Sequence, residues 1–264
     1  MNGTDGRAAT PAVRARRLGY PRLHLSSTTS TNARARVLAA GGAPNGTVVS
    51  AAEQSAGRGR QGRTWTAPPG RSLLCSIVIR DPPRLLPLAA GAAVADAVET
   101  AALARPEAAH TVETAAPART TTIKWPNDVL LDGGKVAGIL VEGRPQERWA
   151  VVGVGLNVAV APSEFPPELA GRAATLGLGP EHIEPILEEL LRRLERWVAA
   201  DPETLLAEIR ARDALLGQPV RWAEGEGRGG GIDGDGRLIV ITPDRGRVTL
   251  DAGEVHLLTG TPTA

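Results

Sequence analysis

Short runs of consecutive apolar residues mark the strands of this chain. The runs at 47–52, 72–79 and 149–160 have little polar interruption, a pattern typical of strands buried on both faces of a sheet. Two further runs, "VLL" and "VAGILVE", flank Asp132–Gly133–Gly134, whose residues tolerate the positive φ of a tight turn. These two runs are predicted to form a hairpin.

Longer segments with capping signals predict helices between the strands. One helix follows the serines and threonines at 26–31 and ends at Gly41–Gly42. A long alanine-rich helix is predicted from Pro87 to Leu103, and two more near 181–200 and 202–216. This mixture predicts an α+β fold, a mixed β-sheet flanked by helices.

The pattern of residues in the sequence changes at Gly217. Short β runs separated by glycine and aspartate turns follow, and they predict a small β-barrel or sandwich. Residues 1–20 are rich in Ala, Arg and Gly without periodicity and are predicted to be a disordered tail. The predicted organisation is the tail 1–20, a main domain 21–216 and a C-terminal β-domain 217–264, with no N-terminal helix-turn-helix.

Composition and charge argue against several classes of protein. Hydrophobic residues make up 42% of the 264 residues and charged residues 22%, values typical of globular proteins. The formal net charge of +1 gives no overall attraction to nucleic acid or membrane. Neither a secretory signal nor a run of about 18 apolar residues is expected. Cys75, the lone cysteine, lies in an apolar run, so a buried thiol and a reducing cytoplasmic location are predicted.

The stretch "GRGRQG", from Gly57 to Gly62, matches the glycine fingerprint of dinucleotide-binding folds. That fingerprint needs a helix directly after it, whereas here two prolines and a glycine lead into a strand. The glycines and the guanidinium groups of Arg58, Arg60 and Arg63 instead favour a flexible loop that closes over an anion. A solvated surface loop and a nucleic-acid patch are the alternatives.

Lysine is rare in this chain, and both lysines fall in one motif. Among 30 basic residues, Lys124 and Lys135 are the lysines, and both belong to "KWPNDVLLDGGK". With Asn127 and Asp128 between them, the motif predicts a cluster of two ammonium groups, an amide and a carboxylate. Such a cluster suits a phosphorylated intermediate with Mg²⁺. A surface turn with a salt bridge is the alternative.

Glycines alternate along the strand "VVGVGLNV". Gly153 and Gly155 leave one face of this strand without side chains, which makes room for a flat ring. The amide of Asn157, at the end of the strand, would recognise that ring. Close packing of a helix on the sheet is the alternative. The four histidines are scattered without metal-ligand spacing.

Four motifs, in this order and spacing, resemble those of the biotin protein ligases: "STN", "EQSAGRGRQGRTW", "KWPNDVLLDGGKVAGILVE" and "VVGVGLNV". The resemblance covers residues 24–260 and includes a C-terminal segment similar to the small SH3-like β-barrel of that family. It implies a catalytic sheet like that of class II synthetases and biotin–lipoate ligases. It also implies a monofunctional enzyme without the DNA-binding domain of many bacterial relatives.

The resemblance implies a two-step reaction. The carboxylate of biotin attacks the α-phosphate of ATP, with Mg²⁺, and gives biotinyl-5′-AMP and pyrophosphate. A lysine of a biotin carboxyl carrier domain then attacks the mixed anhydride and releases AMP. The implied partner is the carrier domain of a carboxylase, with no DNA and no membrane partner, while a homodimer is left open.

The resemblance also implies roles for individual residues. Lys135, Arg58 and Arg60 are expected to be catalytic. The residues expected to bind biotin are Ser30, Thr31, Asn32, Gln54, Gly57, Arg58, Lys135, Gly138 and Ile139. Those expected to bind ATP or the adenylate are Arg60, Arg63, Trp65, Lys124, Asn127, Asp128, Gly153, Gly155 and Asn157, with Asp128 meeting Mg²⁺ through the nucleotide.

Two other functions stay open at this point. A lipoate–protein ligase shares the adenylation chemistry and general fold, but it needs a more open apolar pocket and is not expected to carry the "GRGR" loop. A nucleic-acid-binding module predicts a basic stripe and salt-dependent binding, against which the near-neutral charge argues.

Overall fold

The chain is described by a computed structural model that covers residues 18–103, 119–251 and 253–258. The first seventeen residues of the predicted tail, residues 104–118, residue 252 and residues 259–264 lie outside these ranges. Residues 18–20, at the end of that tail, contact the folded domain: Leu18 packs against the core, and the backbone N–H of Gly19 donates to the Gly46 carbonyl at 2.9 Å.

The main domain is built on a seven-stranded sheet with the order β1-β2-β3-β7-β6-β5-β4. Strands β1 and β2 pair in parallel and every other pair in this sheet is antiparallel. The strands are β1 Arg22–Leu25, β2 Val48–Ala51, β3 Ser72–Arg80, β4 Thr121–Lys124, β5 Asp128–Leu131, β6 Gly134–Arg144 and β7 Trp149–Asn157. The predicted mixed sheet with flanking helices, and hence the α+β class, is confirmed.

Helices cover both faces of this sheet. Helix α1 (Thr31–Ala40) packs on β2, β3 and β7, whereas α2 (Leu86–Leu103) and α3 (Ile183–Val198) pack together on the other face. Helix α4 (Pro202–Ala211) packs against α2. Because helices lie on both sides of β3, nearly every residue of that strand is buried, including the thiol of Cys75. The predicted buried thiol is confirmed, and burial raises the pKa of Cys75 to about 12.

The alanine-rich sequence of α2 suits the centre of the core. Small side chains let the helix approach the sheet closely, and the one acidic residue in its middle, Asp96, accepts a hydrogen bond from Trp197 Nε1 at 2.9 Å. The helix is 18 residues long with a mean hydropathy of 1.4, so it passes a length-and-composition test for a membrane span. The segment still contains Asp96, Glu99 and Thr100, so it is not an uninterrupted apolar run. The window is 72% buried inside the protein, which is typical of a core helix.

Two further boundaries and one strand differ from the sequence predictions. The helix expected over 202–216 ends at Ala211, because the chain then turns and Asp213 and Ala214 run alongside Ile123 of β4. The strand expected to reach 160 ends at Asn157. Strand β1 has no counterpart among the predicted elements, although its four residues alternate between polar and apolar.

A five-stranded antiparallel sheet follows, with the order β11-β10-β9-β8-β12. One of its contacts with the main domain is made by the turn before β10, where the Gly236 carbonyl accepts a hydrogen bond from Trp125 Nε1 at 3.0 Å. Trp125 belongs to the lysine motif, so the second sheet is fixed beside the β4–β5 turn. The strands are β8 Pro219–Trp222, β9 Gly225–Ile232, β10 Leu238–Thr242, β11 Gly246–Leu250 and β12 His256–Leu257. Closure of this sheet into an SH3-like barrel stays a prediction.

Candidate active site

Glycines leave the centre of one face of the main sheet without side chains. Gly138 on β6 pairs with Gly155 on β7, and Leu140 pairs with Gly153 in the next row of the same face. Ser76 on β3 lies opposite Gly153. Because side chains alternate along a strand, these residues all point to the face on which α1 packs. The alternation that predicted a bare face is therefore present.

The chain's own side chains fill that bare face. A Cβ on Gly153 would lie 2.0 Å from Asn32 Oδ1, and one on Gly155 would lie 2.5 Å from the indole of Trp65. The flat ring that Gly155 admits is thus the indole of Trp65. The amide of Asn157 is also engaged, since Nδ2 donates to the Ala174 carbonyl at 3.0 Å. It holds the segment after β7 against the sheet.

The first turn of α1 brings several predicted biotin-binding residues together. Ser30 is the N-cap of the helix, and its hydroxyl accepts from Ala33 N at 3.4 Å. Gln54 Oε1 accepts from the backbone N–H of Thr31 at 2.7 Å and lies 3.1 Å from Thr31 Oγ1. Ser30, Thr31 and Asn32 are nearly fully buried. Residues far apart in the sequence therefore form one polar cluster at the start of α1.

Two members of this cluster have no counterpart among the predicted residues. Ser76 Oγ lies 2.8 Å from Thr31 Oγ1 and 2.6 Å from Asn32 Oδ1. Glu142 Oε2 accepts from Asn32 Nδ2 at 2.9 Å, and Oε1 accepts from Arg36 Nη1 at 2.8 Å. The available signal was a polar residue interrupting the apolar runs of β3 and β6, on the same face as the glycines.

The arginine loop is a compact turn that leads into a strand. The backbone N–H of Trp65 donates to the Gly57 carbonyl at 3.0 Å, and that of Gly59 donates to the Arg63 carbonyl at 2.7 Å. A Cβ on Gly57 would lie 2.4 Å from the Trp65 carbonyl oxygen, so glycine is required there. A short 3₁₀ turn spans Arg60–Gly62. No α-helix follows this loop, in agreement with the exclusion of a dinucleotide fold.

The three loop arginines have different surroundings. Arg58 is exposed at the loop surface. Arg60 Nη1 donates to Asn127 Oδ1 at 3.0 Å, and burial lowers the pKa of Arg60. Arg63 forms an ion pair with Glu254. The loop is therefore tied both to the lysine motif and to the second sheet.

Asn127 connects the arginine loop to β6. Its side-chain Nδ2 donates to the Ile139 carbonyl at 3.2 Å, and the backbone N–H of Ile139 donates to the Asn127 carbonyl at 2.9 Å. The Arg60 contact uses the remaining side-chain oxygen of Asn127. The predicted residues Arg60, Asn127 and Ile139 are therefore brought together.

Both lysines of the motif surround one carboxylate. Lys135 Nζ lies 2.7 Å from Asp128 Oδ1, an ion pair without hydrogen-bond geometry, and Lys124 Nζ lies 4.0 Å from Asp128 Oδ2. A register shift between Val129 and Leu130 accompanies this arrangement. Burial is the main cause that lowers the pKa of Lys124, opposed by the charge of Asp128. The predicted cluster of ammonium, amide and carboxylate groups is present.

Trp65 contacts both the lysine cluster and the glycine face of the main sheet. Its ring centroid lies 5.8 Å from Lys135 Nζ, within cation–π distance. A Cβ on Gly138 would lie 3.0 Å from the same ring. The indole Nε1 of Trp65 is buried without a hydrogen-bond partner among the described residues. Buried N–H groups are normally paired, so this unpaired donor is unusual.

Two cavities flank this arrangement. The first, of about 710 Å³, lies between the arginine loop, the Pro126–Asn127 segment and Ile139–Glu142 of β6. The second, of about 620 Å³, lies between the β5–β6 turn and the segment 159–178 after β7. Their sizes fall in the range of small-molecule sites.

A metal site made by the protein alone is not evident in the described part of the chain. Those residues contain no group of three or more His, Cys, Asp or Glu side chains arranged to hold a metal ion. Asp128, predicted to meet Mg²⁺, brings a single carboxylate to the site and pairs with Lys135.

Comparison with known proteins agrees with this geometry. Residues 25–158 match the model of the Biotin/lipoate A/B protein ligase family. The chain is 40% identical to a biotin–[acetyl-CoA-carboxylase] ligase of Mycobacterium tuberculosis, over 87% of this chain and 82% of that protein. It is 38% identical to the enzyme of the same name from Paracoccus denitrificans, over 88% of this chain and 98% of that protein.

A solved structure shows the same fold. The biotin protein ligase from Aquifex aeolicus in complex with biotin and ATP superposes with a TM-score of 0.70 at 26% identity, covering 89% of this chain and 97% of that one. The match to the family model includes α1, the arginine loop, the lysine motif and β7, which together form the site described above. The chain belongs to the Biotin/lipoate A/B protein ligase family.

Proposed function

We propose that this protein is an ATP-dependent biotin ligase, which forms biotinyl-5′-AMP and transfers biotin to a lysine of a biotin carboxyl carrier domain. The identity of 38–40% to biotin–[acetyl-CoA-carboxylase] ligases over most of the chain carries the proposal. The site supports it chemically, because a polar cluster at the start of α1 and a cationic cluster at the β5–β6 hairpin suit a substrate with a polar head and a reactive carboxylate.

In the first step the biotin carboxylate attacks the α-phosphorus of ATP, and pyrophosphate leaves. Negative charge gathers on oxygens of both reactants as they approach. Lys135, held by Asp128 at 2.7 Å, stabilises that charge, and Arg60, fixed by Asn127 at 3.0 Å, adds a second cation. The unpaired Nε1 of Trp65 offers a donor for a ligand oxygen.

Biotin is bound with its head at the α1 cluster and its carboxylate toward Lys135. Ser30, Thr31, Asn32 and Gln54 provide hydrogen bonds to the head, while Gly57, Gly138 and Ile139 provide backbone beside the chain of the substrate. ATP is bound on the side of Lys124 and Asp128, with Arg63 and Asn157 completing its surroundings, whereas Gly153 and Gly155 contribute indirectly by admitting Asn32 and Trp65. The second cavity, beside the segment that Asn157 holds, offers space for the nucleoside.

The acyl-adenylate must be kept from water until the carrier lysine arrives. Exposed Arg58 and the loop around it lie along the first cavity and are suited to cover the intermediate. In the second step the lysine amine attacks the anhydride carbonyl, an amide forms, and AMP leaves. The partner is a carboxylase carrier domain, as the names of the relatives imply.

Magnesium enters this proposal with ATP. A site with one carboxylate fits Mg²⁺ that is held chiefly by the nucleotide phosphates, since this ion commonly takes one or two protein carboxylates. Asp128 is the residue that would meet it, and the ion would neutralise charge on the phosphates. We place the reaction in the cytoplasm and assign no role in DNA or membrane binding, which the net charge of +1 supports. The C-terminal sheet is proposed to close into an SH3-like barrel.

The decisive experiment compares biotin with lipoate. Purified protein with ATP and Mg²⁺ is expected to release pyrophosphate when biotin is added, and to label one lysine of a biotin carrier domain, as read by mass spectrometry. Activity with lipoate and none with biotin would assign the chain to the lipoate branch of the family. Binding to DNA that weakens with salt would instead support a nucleic-acid function.

A further inference from the structure

Residues 172–178, here called the cavity wall, bound one side of the second cavity. The wall also pairs with the start of β6, where Lys135 forms an isolated parallel bridge with Ala173. The backbone N–H of Lys135 donates to the Arg172 carbonyl at 2.8 Å, and the Ala174 N–H donates to the Lys135 carbonyl at 2.8 Å. The segment that borders the cavity is therefore the same one that contacts the backbone of Lys135.

Side chains from two other segments hold the carbonyls of the cavity wall. The Ala174 carbonyl accepts from Asn157 Nδ2 at 3.0 Å. The next two carbonyls both accept from Arg119, that of Leu176 from Nη1 at 3.2 Å and that of Thr175 from Nη2 at 3.4 Å. Among the described residues, no other group donates to these two carbonyls. Arg119 is therefore the side chain that holds the middle of the wall.

The same arginine is anchored in the β5–β6 turn. Its Nε donates to Asp132 Oδ2 at 2.7 Å, and Asp132 Oδ1 accepts from the backbone N–H of Thr120 at 3.0 Å. A guanidinium group is planar and has donors along more than one edge, so one side chain can bridge two segments. Lys135 follows Asp132 by three residues. Arg119 thus links the hairpin that carries Lys135 to the wall of the second cavity.

We propose that Arg119 is a positioning residue, which holds the cavity wall in place and thereby sets the affinity for the nucleoside of ATP. The proposal rests on the biotin ligase function and on the nucleoside position proposed above. Arg119 acts through the wall and not on the reacting atoms. A wall that is already ordered binds the nucleoside directly, whereas a wall that is ordered in a fraction of the molecules lowers the apparent affinity by that fraction.

An ion pair without functional consequence is the alternative. The side chains of Arg119 and Asp132 are 24% and 49% exposed, and pairs with this exposure contribute little to global stability. Thermal melting of an Arg119 variant should therefore stay close to the wild type in either case. The two explanations differ in the local order of the wall and in the affinity for ATP.

Amide hydrogen exchange tests the order of the wall without any ligand. In Arg119→Met, peptides that cover 172–178 should exchange several-fold faster than in the wild type, while peptides from β3 stay protected. Arg144→Met is the matched control, because it removes an arginine that also forms a 2.7 Å ion pair, with Glu147, but does not line the second cavity. Unchanged exchange of 172–178 in Arg119→Met would overturn the proposal.

Steady-state kinetics tests the consequence for the nucleoside. Arg119→Met should raise KM for ATP about 10-fold, as expected if the ordered fraction of the wall falls to about one tenth, with kcat within about 2-fold of the wild type. The inhibition constant of AMP should rise by the same factor. That of pyrophosphate, which has no nucleoside, and the Kd for biotin should not change. A wild-type KM for ATP, or a fall in kcat alone, would refute the positioning role.

Arg119→Lys tests the need for a bridge. Lysine keeps a cation for Asp132 but lacks the planar group that spans the turn and two carbonyls, so KM for ATP should recover only in part. Full recovery would show that the bridge is not required and would refute the proposal. A wild-type protein that forms no biotinyl-5′-AMP would refute the proposed function instead, and the exchange measurement would still decide whether Arg119 holds the wall.

Discussion

Lys135 and Asp128 form an ion pair of 2.7 Å across the β5–β6 hairpin, at the centre of the cationic cluster. The carboxylate lies between two ammonium groups and reduces the repulsion between them. Because Asp128 is anchored at the start of β5, it also fixes where the Lys135 ammonium lies. The pair therefore positions a cation for the phosphate and carboxylate oxygens that react.

Lys135→Ala should lower the rate of biotin-dependent pyrophosphate release about 100- to 1000-fold, as expected when a preorganised charge is removed from a transition state. Thermal melting should stay close to the wild type, because the side chain is partly exposed. Lys135→Arg should restore little of this rate, since a planar guanidinium group does not replace a compact ammonium group. Arg144→Ala, which removes an exposed cation from the end of the same strand, is the control and should be fully active. Full activity of Lys135→Ala would exclude this lysine from the reaction.

Arg58→Ala should release the adenylate before transfer. The side chain is exposed on a loop that lines the first cavity, so its loss opens the site to water without a change in the core. Biotin labelling of an added bystander protein should rise several-fold, measured by avidin blot at equal carrier concentration. Arg247→Ala, an exposed arginine on β11, should leave labelling confined to the carrier. A variant at Arg58 that labels the carrier alone would contradict the covering role.

Gly155→Ala should displace the indole of Trp65, because the added Cβ would lie 2.5 Å from the ring. Overpacking of this kind costs about 1–3 kcal/mol, so kcat/KM for ATP should fall about 10-fold or more. Gly91→Ala makes the same chemical change in α2, where the Cβ meets Ile123 at an ordinary 3.7 Å, and should keep full activity. If Gly155→Ala binds ATP like the wild type, the ring can move freely and the close approach has no functional role.

Asp213→Asn should stabilise the protein at neutral pH but not at acidic pH. Burial raises the pKa of Asp213, and its Oδ2 has no partner among the described residues, so folding favours the protonated form. The wild type therefore loses stability as the pH rises from the unfolded pKa through the raised folded pKa, whereas asparagine does not titrate. Urea unfolding should show a gain in stability at pH 7, because asparagine carries no charge to desolvate, and no gain below about pH 3. An equal gain at both pH values would point to packing instead of charge.

Much of this protein follows from its sequence because the relevant signals are local. Capping residues before α1, glycine turns between β5 and β6, and long apolar runs at β3 and β7 each depend on neighbours within a few residues. The same holds for the exclusion of a dinucleotide fold, which depended on the prolines after Gly62. The four motifs that resemble biotin protein ligases are also continuous segments.

The tertiary structure decided what fills the bare strand and which polar residues complete the site. The sequence reveals that Gly153 and Gly155 lack side chains, but not that Asn32 and Trp65, from distant segments, occupy the space. Ser76 and Glu142 are isolated polar residues in apolar runs, and their role depends on the alignment of β3, β7 and β6 under α1. Local propensity determines which residues form an element, whereas hydrogen-bond partners that are 44 and 110 residues apart depend on how the elements pack.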